Sequence, residues 1–515
     1  MTSIYRLSVA AASAALVATS LAGCDNNKLT SVNNNPNAPT DAPASAVFTN
    51  AVQAGVGNWL GSGYDLRDME LLVQHFAENQ YISNDTYTTG VNHTGQSTPF
   101  QGAYVNDLED FQVVIRKGMA ATDPSVYAPA QIMQQWEFGY LTDTWGSIPY
   151  SQALAADSSA GIITPVYDSQ QAVYTGMFAT LTNAAKALAG TTGATLGSAD
   201  PLYNGSSAKW AKFANSLHAR DAMRIVNIDA TTANKELTAA LTGPGGVFTS
   251  NADNATLNWP GGAVFANPWS LNFGNRDDDR MSKTFIDTLN NRNDPRTPIF
   301  AMPAQTTGTY LGQPNGLNNS TAIPYANGSS RPGAMFYPAA AQYCTPGQSC
   351  TSGATAPSFL MTFAEVSFIQ AEAAARSMAG LTPAQAAGFY NAGITASMQQ
   401  WGVTDAAKIA AYIAQPNVAY VGGTAGLKQI ALQKWIALYT DGGQAWMEWR
   451  RTCVPNIQPG PKAVLSYIPR RVEYPTLEQT ANAANETAAV AAMGGKDDNL
   501  TPVWWDKTSA APTCQ

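Results

Sequence analysis

Apolar residues recur at three- and four-residue spacing through much of the chain. In "APAQIMQQWEFGYLTDTWG", Ile132, Trp136 and Tyr140 fall at i+4 with Met133 beside them, which is one face of a helix. "DSQQAVYTGMFATLTNAAKALAG" repeats the spacing through Tyr174, Met177, Phe178, Leu181, Ala185 and Leu188. Asp168 or Ser169 stands where a cap is needed, and Gly190 stands where the helix would close. "SAKWAKFANSLHARDAMRIV" places Trp210, Phe213 and Leu217 on one face, with Asp221 one turn on. "FLMTFAEVSFIQAEAAARSMAG" and "GLKQIALQKWIALYTDGGQAWMEWRR" predict two more helices. Strand-like alternation is short and rare. The stretches 191–206, 243–280 and 303–358 are dense in Gly, Pro, Asn and Ser and read as long loops, which in a compact protein are usually functional or disordered. The expectation is an all-α body with long irregular insertions.

The first residues follow a different pattern. Arg6 precedes an apolar, small-residue run from Leu7 to Ala22, the layout of a secretory signal. Leu21-Ala22-Gly23-Cys24 then reads as a lipobox, with Cys24 as the lipidated mature N-terminus. Acyl chains stabilise membrane attachment by about 0.8 kcal/mol per buried CH₂, so such a protein sits on a membrane without spanning it. "DNNKLTSVNNNPNAPTDAPAS" is too polar to bury much surface and reads as a tether. The organisation is therefore a signal peptide at 1–23, a lipidated tether at 24–45 and one helical domain at 46–515.

Composition narrows the function. Of 515 residues 45% are hydrophobic, enough for a large core, while only 12% are charged, so the surface must be largely uncharged polar. The net charge is −8 and no Lys/Arg-rich run occurs, which disfavours nucleic acid as a partner. With Cys24 lipidated, four cysteines remain. The Pro-Gly turn in "CTPGQSC" favours a disulfide between Cys344 and Cys350, and Cys453 with Cys514 is the weaker pairing.

Catalytic motifs are missing: there is no His-Glu-x-x-His, no Gly-x-Ser-x-Gly and no phosphate loop. "GVGNWLG" misses the dinucleotide fingerprint by one position. His75 and Glu78 stand three apart, but one His-x-x-Glu pair does not make a metal site; His218 reads as structural, and His93 lies in a polar stretch. In "NRDDDR", Asp277 and Asp279 offer oxygen ligands for calcium, yet pairing with their own arginines is favoured. No metal or cofactor is expected. Glu70, Glu78, Glu109 and Asp110 are available for glycoside hydrolysis, but nothing marks them as a pair.

Aromatic residues in polar stretches say more. Tyr81 and Tyr87 lie in "ENQYISNDTYTTGVNH"; Trp259, Trp269 and Phe273 lie in "LNWPGGAVFANPWSLNFGNRDDD". Ring faces stack on sugar rings, and neighbouring polar groups bond the hydroxyls. The expected ligand contacts are these five rings, with Asn79, Asn267 and Arg276 as polar partners. The competing reading is that the rings pin the long loops by packing.

Several segments, in order, resemble the SusD/RagB family of outer-membrane nutrient-binding lipoproteins, in its SusD-like branch: "GYLTDTWGSIPYSQAL", "YNGSSAKWAKFANSLHARDAMRI", "DPRTPIF", "MTFAEVSFIQAEAAAR", "QKWIALYTDGGQAWMEWRRT", "IPRRVEYPTLE" and "TPVWWD". They run from Gly139 to Asp506. The resemblance implies a TPR-like helix-pair scaffold, no catalysis, a lipid anchor at the outer membrane facing the cell surface, and a lid role on a SusC-like TonB-dependent β-barrel transporter. It implies capture of oligosaccharides, or alternatively peptides, for import. The motif residues Trp145, Tyr150, Trp210, Arg220, Glu365, Glu372, Trp435 and Trp446 are implied to be scaffold, since ligand contacts in the family lie in variable loops. The rival outside this class is a lipid-anchored glycoside hydrolase.

Overall fold

Short polar side chains start the helices at the places where the apolar spacing begins. Ser169 Oγ accepts from the Ala172 amide at 3.3 Å, Asp123 Oδ1 from Ser125 at 2.9 Å and Thr362 Oγ1 from Glu365 at 3.2 Å, each satisfying an amide the helix cannot. The computed structural model describes residues 41–92, 97–339, 342–351, 353–506 and 514. Cys24, the leader and most of the tether, and His93, lie outside the described residues. From Ala44 onward the chain forms one unit.

The principal helices are α1 (Ala44–Trp59), α2 (Leu108–Ala120), α3 (Pro124–Trp145), α4 (Gln170–Ala189), α5 (Ser207–Arg224), α6 (Ala230–Leu241), α7 (Pro268–Asn275), α8 (Lys283–Asn290), α9 (Phe363–Ala375), α10 (Pro383–Gln400), α11 (Ala406–Ile413), α12 (Gly423–Ala437) and α13 (Gly442–Thr452). Neighbours pack in sequence, α2 on α3, α3 on α4, α4 on α5 and α5 on α6, then α9 on α10 and on α12. This is the TPR-like all-α scaffold. The α9–α10 pair packs closely at Gly393 of α10, where a Cβ would lie 2.7 Å from the Phe368 ring of α9.

Between the two helical groups lies a dry network of charge. Arg220 of α5 grips Glu365 of α9 with two hydrogen bonds, 2.9 and 2.5 Å long. Arg224 reaches Glu448 of α13 at 2.7 Å, Lys434 of α12 reaches it at 3.3 Å, and Arg451 bridges Glu448 and Glu372 at 2.7 and 2.6 Å. All are nearly fully buried. Burial alone would raise Glu448, but Arg451, Lys434 and Arg224 overcome it and hold the carboxyl well below its usual range. The scaffold role implied for Arg220, Glu365 and Glu372 has this physical form.

The glycine- and proline-rich stretches are more ordered than their composition suggests. They contain α7 and further short helices, and they contribute strands to two small sheets. β1 (Phe76–Glu78) pairs antiparallel with β3 (Asp279–Met281), Glu78 opposite Asp279; β2 (Ala255–Asn258) pairs with β4 (Pro357–Met361). Cys344 is bonded to Cys350, and Cys453 to Cys514.

Candidate functional site

The β1–β3 pair carries the site. Leaving β1, Asn79 donates its amide to Asp278 O at 2.9 Å, and Tyr81 turns outward on a left-handed backbone, φ 53°. That conformation is uncommon for a residue with a Cβ. The Tyr81 ring is 66% exposed. The Arg276 guanidinium lies 4.7 Å from its centroid. Arg276 is itself fixed, since its Nε donates to both Asp278 oxygens at 2.9 and 3.0 Å. A ring steadied by an anchored cation is pre-organised for stacking.

Close to Arg276 the protein encloses a buried acidic cluster of Glu78, Asp85, Asp278 and Asp279. Asp85 accepts from Asn315 Nδ2 at 2.7 Å and from the Gly316 amide at 2.9 Å; Gln313 Nε2 donates to Glu78 O at 2.6 Å. Glu78 Oε1, Asp279 Oδ1, Gln313 Oε1 and both amide atoms of Asn79 are buried without a hydrogen-bond partner. Burial is the main cause that raises Asp85 to about 6 and Asp279 to about 7, the latter helped by Asp278. Glu78 is driven well above its usual range by burial and then by Asp279, Asp85 and Asp278. Burial thus shifts all three carboxyls toward the protonated form and spares the cluster part of its mutual repulsion.

Tyr81 and Arg276 are therefore brought together, whereas Asn79, though next to them in the fold, is buried with its side-chain amide enclosed by protein. The other predicted contacts are placed differently. Tyr87, Trp259, Trp269, Phe273 and Asn267 are buried. Phe273 stacks on Tyr337 at 4.8 Å, and Trp269 is enclosed by Phe76, Phe273 and Phe336. Trp259 Nε1 donates to Ser358 Oγ at 2.9 Å, and Asn267 caps α7 and donates to Ala356 O at 3.0 Å. Their faces are occupied by protein, so they pin the loops, which was the competing reading. The sequence reasoning passed over Phe265 and Leu271, both exposed. Phe265 closes a turn on Gly261, where Gly261 and Gly262 have φ +83° and +74°. That glycine pair was the available signal for a projecting ring.

The remaining titratable candidates have structural partners. Asp277 bonds Arg331 at 2.7 Å and Arg280 at 3.1 Å, Asp278 holds Arg276, and Asp279 Oδ2 accepts from Asn272 at 3.1 Å. The three aspartates thus diverge, and among the described residues no group of three or more His, Cys, Asp or Glu is arranged to hold a metal ion. His75 lies 2.6 Å from Glu70 and 3.1 Å from Trp435 O; burial drops its pKa to about 3. The carbonyl needs the Nε2 proton, so Nδ1 accepts and Glu70, pushed well up by burial, carries the proton between them. His218 bonds Glu236 at 3.0 Å, Glu109 bonds Arg116 at 3.0 Å, and Asp110 accepts from Asn50 at 3.0 Å. A cleft of about 870 Å³ opens between Pro295, Pro298 and α11, but its ring, Tyr412, is buried against Arg296.

The family described as "Starch-binding associating with outer membrane", SusD-like, matches residues 36–475. Among solved structures, one titled a chitin-binding protein is 28% identical, with a TM-score of 0.76, covering 90% of this chain and 100% of its own. A chitin-binding SusD homologue from Flavobacterium johnsoniae is 27% identical with a TM-score of 0.77, covering 91% of this chain and 98% of its own. A SusD homologue from Bacteroides uniformis is 27% identical with a TM-score of 0.75, covering 90% and 100%. None of the curated proteins matches.

Proposed function

The chain belongs to the SusD-like family of starch-binding proteins that associate with the outer membrane, and we propose that it is a non-catalytic lipoprotein, anchored through Cys24, that captures oligosaccharides for a SusC-like TonB-dependent transporter. The observation that carries the reading is the exposed Tyr81 ring steadied by the anchored Arg276. A sugar would stack on Tyr81, its hydroxyls meeting the part-exposed Arg276, with micromolar affinity, about −8 kcal/mol. Phe265 and Leu271 are further exposed apolar side chains. The chitin-binding titles of two relatives make a β-linked N-acetylated oligosaccharide the first ligand to try.

No transmembrane-length apolar helix occurs among the described residues, which accords with attachment by lipid. A peptide-capturing lid would use the same ring but needs unpaired backbone to pair with, and the chitin-binding titles of two relatives favour a sugar. A glycoside hydrolase would need two carboxyls flanking a glycosidic bond, and Glu70, Glu109 and Asp110 each have a protein partner. The transporter role is tested by purification from native membranes in mild detergent. The reading predicts a stoichiometric β-barrel of transporter size; recovery of the protein alone after crosslinking would contradict it.

A further inference from the structure

We infer that a second site, built around Arg292 and Lys428, accepts the carboxylate of an acidic oligosaccharide. The inference rests on the reading of the protein as a glycan binder and adds a ligand class to it. A cleft of about 480 Å³ opens between the end of α8, the start of α12 and the segment after α13. Arg292 and Lys428 line it, and no Asp or Glu does, in a chain whose net charge is −8.

Arg292 is the informative residue. Most buried arginines here are paired with a carboxylate, but the half-buried Arg292 has no acidic partner among the described residues. Its Nη1 donates to Thr288 O at 3.0 Å, which satisfies the end of α8, while its Nε is buried without a partner. A guanidinium left so is costly unless something completes it. Its position is also fixed in advance: Arg292 O accepts from Gln415 Nε2 at 2.7 Å and Asn291 O from Asn417 Nδ2 at 2.9 Å. Lys428, exposed on α12, adds a second cation without an ion pair among the described residues. Leu432 and Pro455 supply an apolar wall, and Asn456 an amide. That set matches a uronic acid residue: its carboxylate meets the planar guanidinium, its C–H face the apolar wall, its hydroxyls the amide. A neutral sugar would leave Arg292 uncompleted.

The test is calorimetric titration of the whole mature protein with trigalacturonate, with its fully methyl-esterified form, with inorganic phosphate and with chitotriose. We expect trigalacturonate to bind, more weakly as ionic strength rises to about 0.15 M, and the ester to bind at least about tenfold more weakly. Arg292→Gln should weaken the acid about tenfold. Lys428→Gln, at an exposed position that folding does not depend on, should weaken it less but in the same direction. Chitotriose binding should be unchanged in both variants and lost on Tyr81→Ala. Equal binding of acid and ester, no effect of either substitution, no binding of the acid, or phosphate competing on equal terms would each overturn the inference. If chitotriose fails to bind while trigalacturonate binds through Arg292, the Tyr81 site is wrong and this one stands.

Discussion

Tyr81 holds a large ring mostly in water on a backbone that costs of order 1 kcal/mol for a residue with a Cβ. Nothing in the core recovers that cost, whereas a stacked ligand would. The substitution Tyr81→Gly separates the two: glycine adopts this backbone without strain, so the free energy of unfolding should stay level or rise by up to about 1 kcal/mol, while binding of a neutral oligosaccharide is lost, as with Tyr81→Ala. Loss of stability with binding intact would make Tyr81 a packing residue. The sequence placed Tyr81 and Tyr87 in identical polar surroundings, yet one is exposed and the other buried. Local composition cannot separate them, because the burial of Tyr87 depends on segments far along the chain. Trp269 and Phe273 misled for the same reason: their partners Phe76 and Phe336 or Tyr337 are about 60 or more residues distant.

At the scale of the element, helices were legible because caps and spacing are local. The strands were not: β1 pairs with β3 and β2 with β4 across long separations, and segments of three to five residues carry no period of their own. The cap of α13 carries a pH prediction. Asp441 Oδ1 accepts from Tyr140 Oη at 2.7 Å and from the Gln444 amide at 3.0 Å. Burial raises its pKa to about 7 despite Arg220 and these bonds. A carboxyl raised in the folded state contributes stability that is full below its unfolded pKa, about 4, and is lost as pH rises through about 7. Asp441→Asn keeps the accepting oxygen and has no proton to lose. Its stability relative to the wild type should therefore improve from pH 5 to pH 8, by about 2 kcal/mol in urea unfolding; a difference independent of pH would refute the assignment. Glu365→Gln should instead cost about 3–5 kcal/mol at neutral pH, because Arg220 stays buried without its counter-charge, while Lys434 keeps Glu448. Replacing Arg220 and Glu365 together by leucine should cost less than the sum of the single losses.

For the whole molecule, the order of motif segments from Gly139 to Asp506 was the strongest signal in the sequence, and it reported scaffold. Arg220, Glu365, Glu372 and Trp446 are fixed by the folded network. The proposed contacts, Tyr81 and Arg276, and the exposed Phe265 and Leu271 lie outside those segments, where a ligand rather than the fold would set the requirement. This is why the fold was readable in outline and the site only in part. The scaffold and the exposed ring together make a claim of capture without chemistry. It is tested most directly by titrating the purified mature protein with chitotriose and analysing the sugar afterwards. The account predicts saturable micromolar binding, abolished by Tyr81→Ala, with the oligosaccharide recovered intact. Shortened products, or binding that Tyr81→Ala leaves unchanged, would contradict it.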